Sequence, residues 1–326
     1  MIKAGIVGGA GYTGGELIRI LINHPEVEIA FVHSTSNAGN YIYDAHTDLL
    51  GDTQLKFTKE LNQDIDVLFL CVGRGDAKKF LEANKIDEKI KIIDLSQDYR
   101  INPKSQISNL KSFVYGLPEL QKEKIKTASN IANPGCFATC LQLGLLPLAA
   151  SGFLSDEVHI SATTGSTGAG QSLSTTSHFS WRNNNLSIYK AFEHQHLGEI
   201  NQSLVYLQQN FNKKINFIPY RGDFTRGIIA SIYTTYNESL DHAKELYNDF
   251  YKNQPFTHVS EKNIDLKQVV NTNKCLLYLE KHNDKLMIVS IIDNLLKGAS
   301  GQAVQNMNLM FGLDETSGLK LKSIAF

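Results

Sequence analysis

A chain of 326 residues with 42% hydrophobic and 20% charged residues is long for a single core and suits two soluble domains. Its 32 basic and 33 acidic side chains leave a net charge of −1, which gives no electrostatic basis for binding nucleic acid or an anionic membrane surface. No stretch approaches the ~20 apolar residues of a membrane span. The four cysteines, Cys71, Cys136, Cys140 and Cys275, are spaced for neither a secreted disulfide framework nor a structural zinc set.

Residues 1–8 carry no basic leader and run directly into glycines, so they read as a first strand rather than a signal peptide, with the cytoplasm as the expected address. Residues 4–7 read as a strand, 13–23 as a helix, 27–32 as a second strand and 67–72 as a third. A helix over 77–83 and a strand over 90–95 follow. This alternation predicts an α/β domain with a doubly wound parallel sheet. After Gly152 the texture changes. Strands over 158–164, 215–219, 227–236, 275–280 and 286–292 are interrupted by few helices, one over 239–252, which predicts a mainly antiparallel sheet in an α+β domain. Residues 301–311 read as a late helix. The polar loop 172–185 reads as a mobile segment.

Gly8, Gly11 and Gly14 form G-x-x-G-x-x-G between the first strand and first helix, with Tyr12 and Thr13 inside the turn. The first two glycines allow a tight turn and close approach to a pyrophosphate at the helix N-terminus, and Gly14 allows close helix–strand packing. The second strand ends His33-Ser34-Thr35-Ser36-Asn37 without the carboxylate that holds a ribose 2′-hydroxyl in NAD sites. Ser34, Ser36 and His33 can face a 2′-phosphate without repulsion, which favours NADP(H). Gly73 and Arg74, in Gly73-Arg74-Gly75, lie past the third strand and either skirt the nicotinamide half or form an ordinary loop.

Cys136 sits in Ala132-Asn133-Pro134-Gly135-Cys136-Phe137-Ala138-Thr139, a turn followed by an apolar run to Ala150 that reads as a helix. A thiol at a helix N-terminus is favoured as thiolate, and the free N–H groups there can hold an oxyanion. A buried cysteine packing as a small hydrophobe is the alternative. His194 and His196, in Glu193-His194-Gln195-His196-Leu197-Gly198-Glu199, offer an acid–base partner. His196 and Glu199 share a helix face at i, i+3. No third ligand accompanies the two histidines, so no metal site is expected.

Arginine occurs six times, at Arg19, Arg74, Arg100, Arg182, Arg221 and Arg226. Arg100 lies just past a parallel strand and Arg226 before a strand of the second domain, and both are candidate anion binders. Surface ion pairs are the simpler reading for Arg19 and Arg182. The loop Thr164-Gly165-Ser166-Thr167-Gly168-Ala169-Gly170-Gln171 supplies backbone N–H groups suited to a small anion.

These motifs occur in one order along nearly the whole chain. They are GGAGYTGGE (8–16), IDLSQDYR (93–100), VYGLPEL (114–120), ANPGCFAT (132–139), TGSTGAGQ (164–171), HQHLGEI (194–200) and DNLLKGASGQAVQ (293–305). In that set the chain resembles the N-acetyl-gamma-glutamyl-phosphate reductase family, type 1 subfamily. The resemblance implies NADPH-dependent reduction of an N-acyl-γ-glutamyl phosphate to the semialdehyde through a cysteine thioester, the third step of arginine biosynthesis. It implies a Rossmann domain over residues 1–135 with 302–326, and a catalytic and dimerisation domain of the glyceraldehyde-phosphate-dehydrogenase type over 136–301, in a homodimer or homotetramer. Cys136 is then the nucleophile, and His196 or His194, with Glu199, the acid–base group. The cofactor residues are Gly8, Gly11, Tyr12, Thr13, Gly14, Ser34, Ser36, Gly73, Arg74 and Gly168. The substrate residues are Asn133, Arg100, Gly165 and Arg226. Two positions depart from the common pattern. Gly73-Arg74-Gly75 stands where members often carry Pro-His-Gly, and Asn40 where many carry Lys; both bear on cofactor affinity more than on the reaction. A related reductase of succinylglutamyl, carrier-bound aminoadipyl or aspartyl phosphate, and a non-enzymatic NADP or redox sensor, are the competing readings.

Overall fold

The computed structural model describes residues 1–101 and 112–325. The chain divides into two compact units, Met1–Pro134 with Ala299–Lys320 and Gly135–Gly298 with Leu321–Phe326.

The first unit contains β1 (Ile2–Val7), α1 (Tyr12–Leu21), β2 (Val27–His33), α2 (Ile42–Ala45), β3 (Phe57–Thr58), β4 (Val67–Leu70), α3 (Asp76–Ala83), β5 (Lys91–Asp94), β6 (Phe113–Tyr115), α4 (Pro118–Lys126) and β7 (Asn130–Ala132). The strands form one sheet in the order β3-β2-β1-β4-β5-β7-β6, with every pair parallel. β4, Val67-Leu68-Phe69-Leu70, is buried on both faces, as a central parallel strand must be, which is why its sequence is a continuous apolar run. Strand order reverses between β1 and β4, so the carboxyl ends of these two strands form the switch point at which open α/β sheets bind ligands. The late helix Gly301–Met310 packs on α1 and α4. Its Asn306 donates to Gly116 O at 2.9 Å and to Asn133 Oδ1 at 3.0 Å.

The second unit contains α5 (Cys136–Ala150), β8 (Val158–Thr164), α6 (Phe179–Arg182), β9 (Ser187–Ile188), α7 (Leu197–Leu207), β10 (Ile215–Arg221), β11 (Ile228–Thr235), α8 (Leu240–Tyr251), β12 (Thr257–Ser260), β13 (Cys275–His282) and β14 (Lys285–Ile292). Its sheet runs β12-β13-β14-β11-β8-β10-β9. The sheet is mainly antiparallel, as expected, with β8–β10 and β12–β13 as its two parallel pairs among the described residues. β9 and β12 are too short to show a period in sequence, and α7 supplies the crossover that a parallel β8–β10 pair requires. β8 and β11 alternate buried and accessible residues, so Ile160, Ala162, Ile232 and Ala230 face the interior. α5 is apolar all round and packs against β11, β14 and α7.

The expectation of a surface ion pair at Arg182 is revised. The loop 172–185 contains α6, pinned by a buried Arg182 whose guanidinium donates to the carbonyls of Thr176, Asn185 and Arg221 rather than to a surface carboxylate. Residues 321–326 group with the second unit, where Asn271 Nδ2 donates to Lys322 O at 3.0 Å, although the sequence reading assigns the whole tail to the first domain.

Candidate active site

In the first unit, Gly8 has φ +82°, and a Cβ there would lie 2.4 Å from Cys71 O on the neighbouring strand. A Cβ on Gly14 would meet Gly8 O at 2.5 Å. These two glycines therefore set how closely the turn, α1 and the sheet approach one another. Gly11 is the N-cap of α1 with no side-chain cap, and no acidic residue occupies the first turn. The N–H groups of Tyr12, Thr13 and Gly14 thus lack intrahelical acceptors and suit a pyrophosphate. Tyr12 is exposed and Gly14 buried. His46, which carries no signal in the sequence, steadies this turn: its Nε2 donates to Gly9 O at 2.8 Å and its ring fills the space beside Gly15.

A cavity of about 720 Å³ opens beside Gly8 and is lined by His33, Ser34, Thr35, Lys59 and Lys79 among others. Its volume lies in the range of small-molecule sites. Ser34 is buried, with Oγ accepting from Asn37 Nδ2, and the same amide donates to the exposed Ser36. Burial lowers the pKa of His33. Two ammonium groups line the cavity, that of Lys59, which follows a two-residue strand too short to recognise in the sequence, and that of Lys79 on α3, which lies 3.7 Å from the carboxylate of Asp76 in the same lining. Gly73 and Arg74 lie in an exposed turn fixed by Asp98, which accepts from Gly75 N at 2.7 Å and Lys78 N at 3.0 Å. Arg100 is 8% exposed; its Nε donates to Asn133 O and its Nη2 to Leu95 O. Asn133 Nδ2 donates to Ala299 O at 3.1 Å.

In the second unit, Cys136 is the first residue of α5, which has Gly135 as N-cap, no side-chain cap and no acidic residue in its first turn. Cys136 is partly accessible, whereas Cys71, Cys140 and Cys275 are buried. Burial raises the Cys140 thiol well above its ordinary value and Cys71 to about 12. Gly298 explains how tightly Cys136 is seated, since a Cβ there would lie 2.8 Å from Cys136 Cβ.

His194 and His196 lie beside this helix start, their rings 4.6 Å apart and both in edge contact with Phe137. Backbone N–H of His196 donates to His194 Nδ1 at 3.2 Å. Burial, reinforced by His196 and Lys190, lowers His194 to about 3 against a weaker pull from Glu199, so His194 is neutral at physiological pH. Glu199 is 2% exposed; its Oε2 accepts from Gly135 N at 2.9 Å, and its Oε1 lies 3.9 Å from His196 Nε2. One carboxylate thereby joins His196 to the residue that precedes Cys136. Among the described residues no group of three His, Cys, Asp or Glu side chains is placed to hold a metal.

Gly165 and Gly168 lie in the loop after β8. A Cβ on Gly165 would meet Thr225 O at 2.5 Å, and Ser166 N and Thr167 N donate to Phe224 O and Thr225 O. Those two N–H groups are therefore used by the segment between β10 and β11 and are not offered to an anion. Arg226 donates through Nε and Nη2 to both oxygens of the fully buried Asp293, at 3.0 and 3.2 Å. This pair orients Arg226 and commits two of its five N–H groups.

The semialdehyde dehydrogenase NAD-binding domain matches residues 3–128, and the semialdehyde dehydrogenase dimerisation domain matches residues 136–294. Curated N-acetyl-gamma-glutamyl-phosphate reductases of Bacteroides fragilis and Christiangramia forsetii are 62% and 59% identical, over 100% and 99% of both chains respectively. The chain belongs to the N-acetyl-gamma-glutamyl-phosphate reductase family. Among solved structures, aspartate semialdehyde dehydrogenase II of Vibrio cholerae complexed with ASA has a TM-score of 0.72 at 14% identity, covering 96% of this chain and 98% of that one. The Candida albicans enzyme with NADP gives 0.69 at 15% identity, covering 95% and 98%. At such identities the likeness carries the fold, and it agrees with the expected Rossmann sheet followed by an α+β domain. No helix among the described residues is long and apolar enough to cross a membrane.

Proposed function

We propose that this chain catalyses NADPH-dependent reduction of N-acetyl-γ-glutamyl phosphate to N-acetylglutamate 5-semialdehyde and phosphate, acting as a homo-oligomer. The observation that carries this reading is the array of Cys136 at the start of α5 with Glu199 joining Gly135 to His196. The Cys136 thiolate attacks the acyl phosphate carbonyl, the first-turn N–H groups of α5 stabilise the tetrahedral oxyanion, and phosphate leaves to give a thioester. Bound NADPH supplies the hydride that this thioester accepts. The tetrahedral thiohemiacetal that results collapses by breaking its C–S bond to release the aldehyde, and His196 protonates the departing Cys136 thiolate, while His194 remains neutral and shapes the pocket. Arg100 and Asn133 are assigned to the substrate by family likeness, and Arg226 to the same task in the orientation Asp293 imposes.

The first unit suits NADP in particular. No carboxylate closes β2, Ser34 stands at its end, and Lys59 and Lys79 bring positive charge to the same cavity. Phosphate-dependent oxidation of N-acetylglutamate semialdehyde by NADP tests the proposal in one assay. Turnover that requires phosphate or arsenate and vanishes in Cys136→Ser supports it; NADP binding without turnover supports a sensor instead.

A further inference from the structure

Arg221 is the last residue of β10, and the parallel register places it beside Thr164, the last residue of β8. Thr164 is 1% exposed, yet among the described residues its Oγ1 has no hydrogen-bond partner, and Arg221 Nε is likewise shielded from solvent without one. Two adjacent strand ends thus each hold a buried polar atom without a partner, a costly arrangement. Thr164 Oγ1 faces the glycine loop, 3.2 Å from where a Cβ on Gly168 would lie.

The Arg221 guanidinium is held in place. It stacks over the Tyr189 ring, 4.7 Å from the centroid, and its backbone carbonyl accepts from Arg182 Nη1 at 2.7 Å. The nearby carboxylate Asp223 is already engaged by Asn184 N at 2.6 Å. Tyr189 links this arginine to the nucleophile. Its ring meets His194 edge-on at 5.7 Å, and His194 in turn meets Phe137, the neighbour of Cys136, at 5.3 Å. Burial and then the Cys136 charge raise the Tyr189 phenol, while Arg221 opposes them by charge and hydrogen bonding.

We propose that Arg221, with Thr164 Oγ1 beside it, anchors the α-carboxylate of the substrate whose acyl carbon is attacked by Cys136. The assignment rests on the activity proposed above. In N-acetyl-γ-glutamyl phosphate the leaving phosphate is attached to the reacting carbonyl, whereas three carbons separate that carbonyl from the α-carboxylate. A guanidinium set back from the thiol behind a tyrosine ring suits the remote carboxylate rather than the phosphate. Its planar fork also matches a carboxylate in two places, which an ammonium cannot do.

The test is a steady-state comparison of wild type, Arg221→Gln, Arg221→Lys and Thr164→Val in the oxidative direction, with semialdehyde and inorganic phosphate varied separately. Arg221→Gln is expected to raise KM for the semialdehyde by roughly 30-fold, with kcat within about 3-fold and KM for phosphate unchanged. Arg221→Lys should fall between the two. A rise confined to the phosphate KM, or an unchanged semialdehyde KM, overturns the proposal. Should Arg221→Gln misfold, Thr164→Val, which keeps the side-chain shape, must still raise the semialdehyde KM by about 5-fold. Calorimetric titration with N-acetylglutamate is independent of turnover. Binding by wild type and its loss in Arg221→Gln uphold the anchor even if wild type shows no phosphate-dependent oxidation, an outcome that would defeat the activity alone. Equal binding by both overturns the anchor.

Discussion

Glu199 accepts the Gly135 N–H through Oε2 at 2.9 Å while its other oxygen stands 3.9 Å from His196 Nε2, so a buried carboxylate braces the backbone before Cys136 and faces the imidazole at the same time. The two duties separate by substitution. Glu199→Gln keeps an oxygen for Gly135 N but removes the charge beside His196; kcat should fall by about 10- to 100-fold with little change in thermal stability. Glu199→Ala also leaves Gly135 N–H without its acceptor and should cost about 1–3 kcal/mol of stability. Melting temperature and kcat measured on both variants check the separation, and equal losses of stability would contradict it.

The four thiols should differ sharply in reactivity. Cys136 is accessible at a helix N-terminus, whereas Cys71, Cys140 and Cys275 are buried, and burial raises both Cys71 and Cys140. Brief treatment of the native protein with iodoacetamide, followed by peptide mass spectrometry, should label Cys136 at least about 10-fold faster than the rest. Activity should decline in step with that label, and Cys136→Ser should lose roughly 1000-fold or more of kcat while still binding NADP.

Gly298 should be needed for the position of the nucleophile. A methyl group there would lie 2.8 Å from Cys136 Cβ and 3.2 Å from its Cα, and neither backbone can yield freely. Gly298→Ala is expected to lower kcat by about 10- to 100-fold and stability by about 1–3 kcal/mol. Kinetics and denaturant unfolding check both effects, with NADP affinity unchanged as the control.

The parts of the site that were legible in sequence are those written locally. The glycine turn, the Pro-Gly-Cys helix start and the i, i+3 pair of His196 and Glu199 each depend on residues a few positions apart. Their geometry follows from one turn or one helix. Lys59, His46 and Arg221 were not legible, because each reaches its place through tertiary structure. Lys59 follows a two-residue strand, His46 lies between two short helical turns, and Arg221 meets Thr164 only through the parallel pairing of β8 with β10. The same pairing explains why the second sheet is mixed, although its alternating strands read as antiparallel.

Acid sensitivity should carry a signature of His194. Its folded pKa, lowered to about 3, lies below the ordinary value of 6.5, so between these limits the unfolded chain binds the extra proton. Stability is therefore present above about pH 6.5 and is lost as pH falls toward 3. Asp94, raised to about 6 chiefly by burial, works in the opposite sense, because the folded state holds its proton between pH 3.8 and 6. The wild-type curve mixes the two, but the difference from a His194 variant does not. His194→Asn keeps an acceptor for His196 N. Between pH 6.5 and 4, wild type should lose on the order of 2 kcal/mol more than this variant. Parallel unfolding curves for the two proteins would show that His194 is not held neutral.

Cofactor choice should respond to Lys59 and Ser34, which line one cavity beside Gly8. On the proposed reading the Lys59 ammonium faces the 2′-phosphate of NADP, a group NAD lacks, and should contribute selectivity in proportion to that one contact. Lys59→Ala is expected to reduce the ratio of kcat/KM for NADP over NAD by about 10-fold, mostly through a weaker KM for NADP. Because Lys59 is exposed, its attraction is screened by salt, so the wild-type ratio should decline as ionic strength rises while that of Lys59→Ala stays flatter. Ser34→Asp places a carboxylate where NAD sites hold the ribose hydroxyls and should lower the ratio further by repelling the phosphate. If Lys59→Ala and wild type show the same ratio at low salt, the positive charge that favours NADP lies elsewhere in the cavity, with Lys79 the next residue to replace.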